Sequence, residues 1–337
     1  MIEIDGSKGE GGGQVLRTAL TLSMITGQPF RIANIRANRS KPGLMRQHLA
    51  AVTAAIEISG AQVQGAAIGS QALQFVPGRI RSGAYRFDIG SAGSSTLVLQ
   101  TLLPALLYAD APSSVTVRGG THNPKAPPAE FLERAYGRAM ADMGAQVDIQ
   151  LERCGFYPAG GGIVCARVQP LQGWKRLDLL ERGERLDGYA EAFTAGIPPG
   201  VGRRELDVIG PAFAWSGEQL RMRQLPDAWG PGNALLLTLE HEHVTEVFAG
   251  FGEKQLRAET LAKQVVQAAR SYLVTGAAVS EHLADQLMMP MALAGGGSFT
   301  VDSVSEHART NGEIIRRFLP VQIRFREDGT RAVCEIG

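Results

Sequence analysis

An internal repeat is the feature that most restricts the fold of this chain. The tetrapeptide Gly-Ala-Gln-Val occurs at residues 60–63 and again at 144–147. Each copy follows a helical pattern of apolar residues and opens a strand-like alternation, so both copies mark a helix-to-strand junction. Self-similarity at a fixed period indicates that one supersecondary unit has been used more than once. The sequence therefore predicts tandem copies of one structural unit.

The predicted elements around the first tetrapeptide follow the order βαβαββ. They are a strand at 2–5, a helix at 14–26, a strand at 30–36, a helix from Pro42 to Gly60, and strands at 61–64 and 72–76. The same order of patterns recurs between residues 84 and 168. We therefore predict two equivalent units, with Gly60 and Gly144 at equivalent helix ends.

A third copy of the unit is predicted to be split by an insertion. Its elements are expected at 176–180, 281–293, 298–301, 311–319, 321–325 and 331–336. The intervening stretch carries strand patterns and an amphipathic helix of its own. We therefore expect one domain of three units, residues 1–181 and 277–337, and an inserted α/β domain, residues 182–276.

Composition and charge argue against several classes of protein. The 337 residues are 44% hydrophobic with a net charge of +1, which suits a large core and gives no global field for nucleic acid. Cys154, Cys165 and Cys334 form no CxxC pair, so neither a disulfide framework nor a zinc cluster is expected. The longest apolar run, residues 97–109, is too short to span a bilayer, and no signal-peptide pattern opens the chain. We expect a cytoplasmic protein without membrane attachment.

A glycine-rich segment, Gly-Glu-Gly-Gly-Gly-Gln at residues 9–14, lies between a predicted strand and a predicted helix. Glycines there let backbone amides approach a phosphate, and the helix N-terminus favours an anion. The segment is neither a dinucleotide fingerprint nor a Walker loop, because Gln14 replaces the third glycine and no Gly-Lys-Ser/Thr follows. A plain glycine turn stays the alternative. Glu10 would repel a phosphate unless a cation bridged the two groups.

A basic segment follows the next predicted strand and contains Arg36, Arg39 and Lys41, with Arg46 in the following turn. The planar guanidinium suits phosphate oxygens, whereas cations at a helix N-terminus oppose the helix macrodipole. A phosphate-binding role is therefore favoured over a structural one. His307 lies in a predicted strand-to-helix loop, where spacing alone favours an ordinary histidine over a catalytic one.

Six stretches together resemble the RNA 3′-terminal phosphate cyclase family, over nearly the whole chain. They are Gly9-Glu10-Gly11-Gly12-Gly13-Gln14, Lys41-Pro42-Gly43-Leu44, Gly90-Ser91-Ala92-Gly93-Ser94, Gly160-Gly161-Gly162, Leu283-Ala284-Asp285-Gln286 and His307. The resemblance implies an α/β (α+β) fold of three βαβαββ units, similar to the C-terminal domain of translation initiation factor 3. A smaller α/β domain would be inserted in the third unit, in agreement with the repeat described above.

The resemblance also implies an ATP-dependent reaction that converts an RNA 3′-terminal phosphate into a 2′,3′-cyclic phosphodiester. ATP adenylates a histidine, AMP passes to the RNA 3′-phosphate, and the neighbouring 2′-hydroxyl closes the ring as AMP is released. His307 is the implied nucleophile. A divalent metal, Mg²⁺ or Mn²⁺, would offset the charge of the departing pyrophosphate, and Glu10 is the implied metal-associated carboxylate.

The remaining implied site residues fall into two groups. Those that would bind substrate phosphate are Arg17, Arg36 and Arg39. Those that would bind the adenylate are Gln100, Pro127, His282, Leu283, Ala284, Asp285 and Gln286, with Pro127 and His282 flanking the adenine. The family pattern has tyrosine before Leu-Ala-Asp-Gln where this chain has His282, and an imidazole can still stack on a base.

Two other functions stay open at the level of the sequence. One is a catalytically inactive cyclase-like protein that acts in ribosome assembly, and such relatives lack the nucleophilic histidine. The other is an enolpyruvyl transferase, which is built from similar α/β repeats and binds a small phosphorylated acid. Of the three, only the cyclase should carry AMP covalently after incubation with ATP.

Overall fold

The computed structural model describes residues 1–337 and contains four sheets of four strands each. The first unit consists of β1 Ile2–Asp5, α1 Gly13–Thr26, β2 Phe30–Ala33, α2 Arg46–Ser59, β3 Gln62–Gln64 and β4 Leu73–Val76. β1 and β2 are parallel, β4 is antiparallel to both β2 and β3, and the strand order is β1-β2-β4-β3. Phe30 and Ile32 are buried and Arg31 is exposed, because strand side chains alternate between faces.

The second unit repeats this arrangement. It consists of β5 Ala84–Asp88, α3 Ser95–Leu106, β6 Ser113–Gly119, α4 Ala129–Phe131, α5 Gly137–Asp142, β7 Val147–Arg153 and β8 Gly162–Val168. A π-helical stretch, Leu132–Tyr136, joins α4 and α5 into one helical segment. The strand order is β5-β6-β8-β7, with β5 parallel to β6 and the other pairs antiparallel.

Gly60 and Gly144 both follow the second helical segment of their unit and precede its antiparallel strand pair. Their φ angles are 64° and 89°, in the left-handed region that strains residues with a side chain. The identical tetrapeptides therefore mark the same backbone turn in both units.

The third unit begins with β9 Leu177–Leu179, after which the chain enters the inserted segment. That segment contains β10 Arg185–Ala195, α6 Gly200–Phe213, β11 Leu220–Gln224, β12 Gly232–His241, β13 Thr245–Phe251 and α7 Ala258–Thr275. Its strands form their own sheet in the order β11-β10-β12-β13. That residues 182–276 fold as a domain by themselves stays a prediction.

The third unit resumes after the insertion. Its remaining elements are α8 Glu281–Leu293, β14 Gly297–Val301, α9 Glu306–Phe318, β15 Ile323–Asp328 and β16 Arg331–Ile336. The sheet order β9-β14-β16-β15, with a parallel first pair and two antiparallel pairs, matches that of the first two units. The predicted α/β fold class is confirmed. No helix is both long enough and apolar enough to cross a bilayer.

The predicted start of the last helix at residue 311 is wrong, because α9 begins at Glu306. The Ser305 hydroxyl caps this helix by accepting a hydrogen bond from the Ala308 amide at 3.2 Å. His307 therefore lies in the first helical turn rather than in a loop.

Two further local predictions are wrong. α2 begins at Arg46 rather than at Pro42, since Gly43 has a φ of 78° that a helix cannot contain. The helix α6 and the strand β11 of the inserted segment were not predicted from the sequence. The helix α6 carries an internal Pro211, a residue that usually argues against a helix.

The apolar core is divided between the two parts of the chain. One cluster of 73 buried residues runs through the three units and includes Phe193 and Val247 of the inserted segment. A second cluster of 14 lies between the inserted sheet and its helices α6 and α7. Each fully buried Leu or Phe contributes roughly 1.5–3 kcal/mol. The insertion thus has a core of its own and also shares in the main one.

Glu191 of β10 connects the inserted segment to the second unit. Its carboxylate is 2% exposed and lies 2.5 Å from Nη1 of Arg134 and 2.8 Å from Nη2 of Arg223. Arg134 belongs to the π-helical stretch of the second unit, whereas Arg223 belongs to β11. A buried charge is tolerated when it is paired, and removal of one partner is costly because it leaves the other uncompensated.

We expect Glu191→Ala to lower the free energy of unfolding by roughly 3 kcal/mol, since it leaves Arg134 partly buried without a counter-charge. Urea denaturation followed by circular dichroism measures the change. The matched control is Asp110→Ala, which removes an exposed carboxylate 3.3 Å from Arg79 and should cost less than about 1 kcal/mol. Equal losses in the two variants would contradict this account of the interface.

Candidate functional site

His307 lies at the edge of a cavity of about 1580 Å³ that all three units and the inserted segment line. Residues from the N-terminal halves of α1, α3, α8 and α9 contribute to its wall. A helix N-terminus carries a partial positive charge and presents free amide groups. The convergence of these helix ends therefore favours an anionic ligand.

Hydrogen bonds fix the orientation of the His307 ring. Its Nδ1 lies 2.9 Å from Oε1 of Gln14, and its Nε2 lies 3.7 Å from Oε1 of Glu10. Nε2 of Gln14 donates to both carboxylate oxygens of Asp285, so the amide presents its oxygen to the imidazole. A carbonyl oxygen can only accept, and Nδ1 must therefore carry the proton of the neutral ring. Nε2 is left with a free lone pair.

Asp285 is itself held by groups from two units. Asn311 of α9 donates to its backbone oxygen at 2.8 Å and to Oδ1 at 3.0 Å, and Thr18 of α1 donates to Asn311 at 2.8 Å. Burial raises the pKa of the Asp285 carboxyl, while the hydrogen bond from Gln14 opposes the rise. These contacts tie α1, α8 and α9 together directly behind the imidazole.

Glu10 lies in a loop whose backbone is set by glycine. Gly9 and Gly11, on either side of it, have φ angles of 60° and 62°. The Glu10 amide donates to the Thr310 hydroxyl at 3.0 Å, and a side chain at Gly9 would overlap that hydroxyl group. The Glu10 carboxylate is 13% exposed and pairs with the guanidinium of Arg39. The loop therefore places the Glu10 carboxylate on the Nε2 side of the His307 ring, whereas Gln14 lies on the Nδ1 side.

Arg17, Arg36 and Arg39, the predicted phosphate ligands, all line the cavity. Burial lowers the pKa of Arg17 to about 10, so this group stays charged at neutral pH. Arg36 donates through Nη1 to the carbonyls of Lys41 at 2.6 Å and Gly43 at 2.9 Å, which ties part of its guanidinium to its own loop. The structure therefore brings three cations to the wall that contains Glu10.

The residues predicted to bind the adenylate separate into two groups in the structure. Gln100, Pro127, His282, Asp285 and Gln286 line the cavity. Leu283 and Ala284 are 0% and 1% exposed and pack in the core instead. The cause is the helical period of α8, which turns adjacent residues to different faces.

Two of the cavity-lining amides leave a buried polar atom without a hydrogen-bond partner. These atoms are Nε2 of Gln100 and Oε1 of Gln286. Buried polar atoms are nearly always paired in folded proteins, so an unpaired one calls for a ligand or water. Both atoms are suited to a ligand with donor and acceptor groups of its own.

The inserted segment forms the opposite wall of the cavity. Residues 247–251 of β13 and Gln264 and Ser271 of α7 line it. The neighbouring Glu246 is fully buried and accepts hydrogen bonds from the Ser280 amide at 2.6 Å and the Ser280 hydroxyl at 2.9 Å. Ser280 is the N-cap of α8, so the insertion holds the helix that carries His282 and Asp285.

The donor groups fit a metal shared with a ligand better than one bound by the protein alone. No three His, Cys, Asp or Glu side chains are grouped so that they could hold an ion. Glu10 supplies one carboxylate next to His307. Mg²⁺ is commonly bound by one or two carboxylates together with substrate phosphates and water. Glu10 therefore fits a divalent cation that arrives with a phosphate compound.

Gln14 is the residue at this site whose role the sequence analysis missed. It lies 293 residues before His307, and no local pattern indicates that the two are in contact. The only feature of the sequence that distinguishes Gln14 is its position, where a dinucleotide-binding loop would have its third glycine. That feature excludes one kind of site and does not indicate a contact with His307. Its role depends on the packing of α1 against α9.

His48 lies beneath the start of α1 and is 5% exposed. Its Nδ1 accepts a hydrogen bond from the Met45 amide at 3.2 Å. Burial, together with the charges of Arg17 and Arg36, lowers its pKa to about 3. The ring is therefore neutral at pH 7 and adds no charge to the cation cluster. A side chain at Gly13 would overlap this ring, which explains the glycine at the first position of α1.

We expect His48 to contribute to acid sensitivity. The folded state excludes a proton that the unfolded histidine binds below about pH 6.5, so stability falls as the pH drops from there towards 3. The slope from this group is at most about 1.4 kcal/mol per pH unit. His48→Asn keeps an acceptor for Met45 and cannot titrate, so its stability should fall less steeply than that of the wild type. Urea midpoints at pH 7.5, 6 and 5 test this, and parallel curves would refute it.

Comparison with known proteins identifies the family. The family model described as RNA 3′-terminal phosphate cyclase matches residues 8–325. The chain is 56% identical to the RNA 3′-terminal phosphate cyclase of Ralstonia nicotianae over 336 residues, 99% of this chain and 96% of that protein. It is 52% identical to the cyclase of Koribacter versatilis, over 97% of this chain and 92% of that protein. It is 54% identical to the cyclase of Pseudomonas fluorescens, over 97% of this chain and 94% of that protein. This chain therefore belongs to the RNA 3′-terminal phosphate cyclase family.

Proposed function

We propose that this protein is an ATP-dependent RNA 3′-terminal phosphate cyclase that acts through a covalent adenylate on His307. The observation that carries the proposal is the orientation of this ring, with Nδ1 on Gln14 and Nε2 3.7 Å from Glu10. A neutral imidazole with a fixed tautomer is a nucleophile near neutral pH. We further propose a cytoplasmic location, where the three free thiols stay reduced.

In the first step, Nε2 of His307 attacks the α-phosphorus of ATP. The N–P bond forms as the bond from that phosphorus to the α,β-bridging oxygen breaks, and pyrophosphate leaves with the electron pair. Positive charge develops on the imidazole, whose Nδ1 proton points at Gln14. The Gln14 oxygen, with Asp285 behind it, stabilises that charge without reorganisation.

In the second step, an oxygen of the RNA 3′-phosphate attacks the same phosphorus and the N–P bond breaks, which returns the lone pair to Nε2. The 2′-hydroxyl oxygen then attacks the RNA 3′-phosphorus. Its proton passes to solvent, the new O–P bond closes the ring, and AMP leaves with the electron pair of the anhydride bond. The ribose already holds the 2′-oxygen next to the phosphorus, so this closure needs no second bound nucleophile.

Arg17, Arg36 and Arg39 are proposed to bind the phosphate oxygens that carry charge during these steps. Their placement on the cavity wall that contains Glu10 supports this role. Guanidinium groups match phosphate geometry and stay charged even where burial lowers their pKa. A bound divalent metal, Mg²⁺ or Mn²⁺, would supply further neutralisation, with Glu10 as its protein ligand.

The adenosine is proposed to bind between Pro127 and His282, which both line the cavity. The unpaired atoms of Gln100 and Gln286 are suited to hydrogen bonds with the ribose or with the edge of the base. Leu283 and Ala284 are buried in the core, and we propose that they fix the position of α8 rather than contact the nucleotide.

We expect the protein to acquire one covalent AMP per chain when it is incubated with α-labelled ATP and Mg²⁺ or Mn²⁺. His307→Ala should abolish the labelling. Gln14→Ala should slow it by about 10²-fold, because the ring loses its fixed orientation. Glu10→Ala should slow labelling more than it weakens ATP binding, if the carboxylate acts through a metal in the transition state.

His243→Ala is the matched control for this experiment, because it removes an exposed histidine from the turn between β12 and β13. The label should be labile in acid and comparatively stable in base, as expected of a phosphoramidate. An inactive relative that acts in ribosome assembly would take up no label at all. Full labelling of His307→Ala would remove this residue from the mechanism.

We expect RNA that ends in a 3′-phosphate and a 2′-hydroxyl to be cyclised, and RNA that ends in a 3′-hydroxyl to be inert. The adenylate needs a terminal phosphate to receive it, and ring closure needs the 2′-oxygen. Chromatography of the RNA after phosphatase treatment measures the product, because a cyclic phosphate resists that enzyme. A 3′-phosphorylated RNA with a terminal 2′-deoxyribose is the control, since it should accept AMP without closing. Modification of the 3′-hydroxyl RNA would contradict the assignment.

A further inference from the structure

The junction between the first and second units repeats the geometry of the candidate site. At the site, the first turn of α9 faces the glycine loop that precedes α1. At the other junction, the first turn of α2 faces the loop Gly90–Ser94 that precedes α3. Oε1 of Gln47 accepts from the Ser94 amide at 3.0 Å, and Arg46 donates to the Gly90 carbonyl.

The chemistry of the two junctions differs. Gln47 and His307 are each the second residue of their helix, so an amide replaces the imidazole. Counted back from the N-cap of the following helix, Ala92 stands in the second loop where Glu10 stands in the first. The second junction therefore has neither the imidazole nor the carboxylate of the candidate site. It can bind a ligand but has no group to react with it.

The loop Gly90–Ser94 joins the neighbouring segments into one continuous surface. Asn123 donates to the Ala92 carbonyl, and Gly160 packs against Ala92 so closely that a side chain would not fit. Lys125 follows Asn123 by two residues, at most about 7 Å along the chain. Tyr157 precedes Gly160 in a turn closed by the Gly160 amide and the Phe156 carbonyl at 2.7 Å.

Arg46, Lys125 and Tyr157, which we call the rim, present exposed cationic and aromatic groups of the kind that bind nucleic acid. All three are exposed, and Tyr157 is 68% exposed. Arg46 and Lys125 pair with no carboxylate, whereas nearby Asp88 already faces Arg118 at 3.8 Å. The Ser94 and Gly93 amides are occupied by side chains, so the cations rather than the loop would hold a phosphate.

We infer that the rim binds the single-stranded part of the RNA that precedes the 3′-terminal phosphate. Lys125 and Gln47, the neighbour of Arg46, line the cavity that contains His307, so the rim continues from the reaction site. Single strands are bound by cations along the backbone and by aromatic rings that stack on the bases. Arg46 and Lys125 hold phosphates and Tyr157 stacks on one base. This inference rests on the proposed function for the identity of the ligand.

The test compares binding and turnover of a 3′-phosphorylated RNA decamer with those of a dinucleotide ending in the same phosphate. Fluorescence anisotropy of the labelled decamer gives the Kd, and chromatography gives the KM. Tyr157→Ala should weaken decamer binding about ten-fold, while Tyr157→Phe, which keeps the ring, should stay within about two-fold of the wild type. Arg46→Ala and Lys125→Ala should each reduce the salt dependence of log Kd by about 0.7.

Arg79→Ala and Tyr108→Ala are the matched controls, because both residues are exposed and lie near the C-terminal end of α3, about 18 Å along that helix from its start beside the rim. Neither should change the Kd. The decamer should bind the wild type at least ten-fold more tightly than the dinucleotide, and the triple rim variant should lose that advantage. If the advantage persists in the triple variant, or is absent from the wild type, the rim is not the RNA path.

The two proposals fail separately. Self-adenylation requires no RNA and reports on the nucleotide site alone. A protein that binds the decamer through the rim but takes up no label and forms no cyclic phosphate would overturn the proposed function and leave the rim intact. A protein that is labelled and forms cyclic ends, with rim variants indistinguishable from the wild type, would overturn the rim alone.

Discussion

The packing of the first helix of the chain against the last is the constraint on which the site depends. α1 and α9 are joined by the hydrogen bond from Thr18 to Asn311 at 2.8 Å and by that between His307 and Gln14 at 2.9 Å. These bonds are buried or partly buried, where an unmade hydrogen bond is costly. They also set which nitrogen of the imidazole is free. The Gln14 contact that fixes the tautomer of His307 therefore exists only when the first and third units are docked.

The insertion is a structural part of the site rather than an appendage. It interrupts the third unit after its first strand and returns immediately before α8. Glu246 accepts two hydrogen bonds from Ser280, the N-cap residue of that helix, while Glu191 is paired with Arg134 of the second unit. Buried polar side chains need hydrogen-bond or charge partners, so these two contacts fix the orientation of the inserted sheet against two different units. The same strand that carries Glu246 then continues as a wall of the cavity.

Repetition of one unit provides two similar junctions with different chemistry. Both place the first turn of one helix against the loop before another, but only one has His307 and Glu10. The other has Gln47 and a row of exposed groups suited to binding. Arg17, Arg36 and Arg39 all line the cavity, although the net charge of the whole chain is only +1. Burial lowers the pKa of His48 to about 3, so this histidine is neutral at pH 7 and adds no positive charge to the three arginines.

The sequence by itself determined the repeat, the split of the third unit and the fold class, because strand and helix periods and glycine turns are local properties. It did not determine the start of α9, where the cap of Ser305 outweighs the apolar pattern used to place the helix. Only the tertiary structure decided that Gln14 and Asp285 orient His307 and that the insertion forms a wall of the cavity. Each of these depends on contacts between residues far apart in the chain, and a single sequence contains no local signal of such contacts.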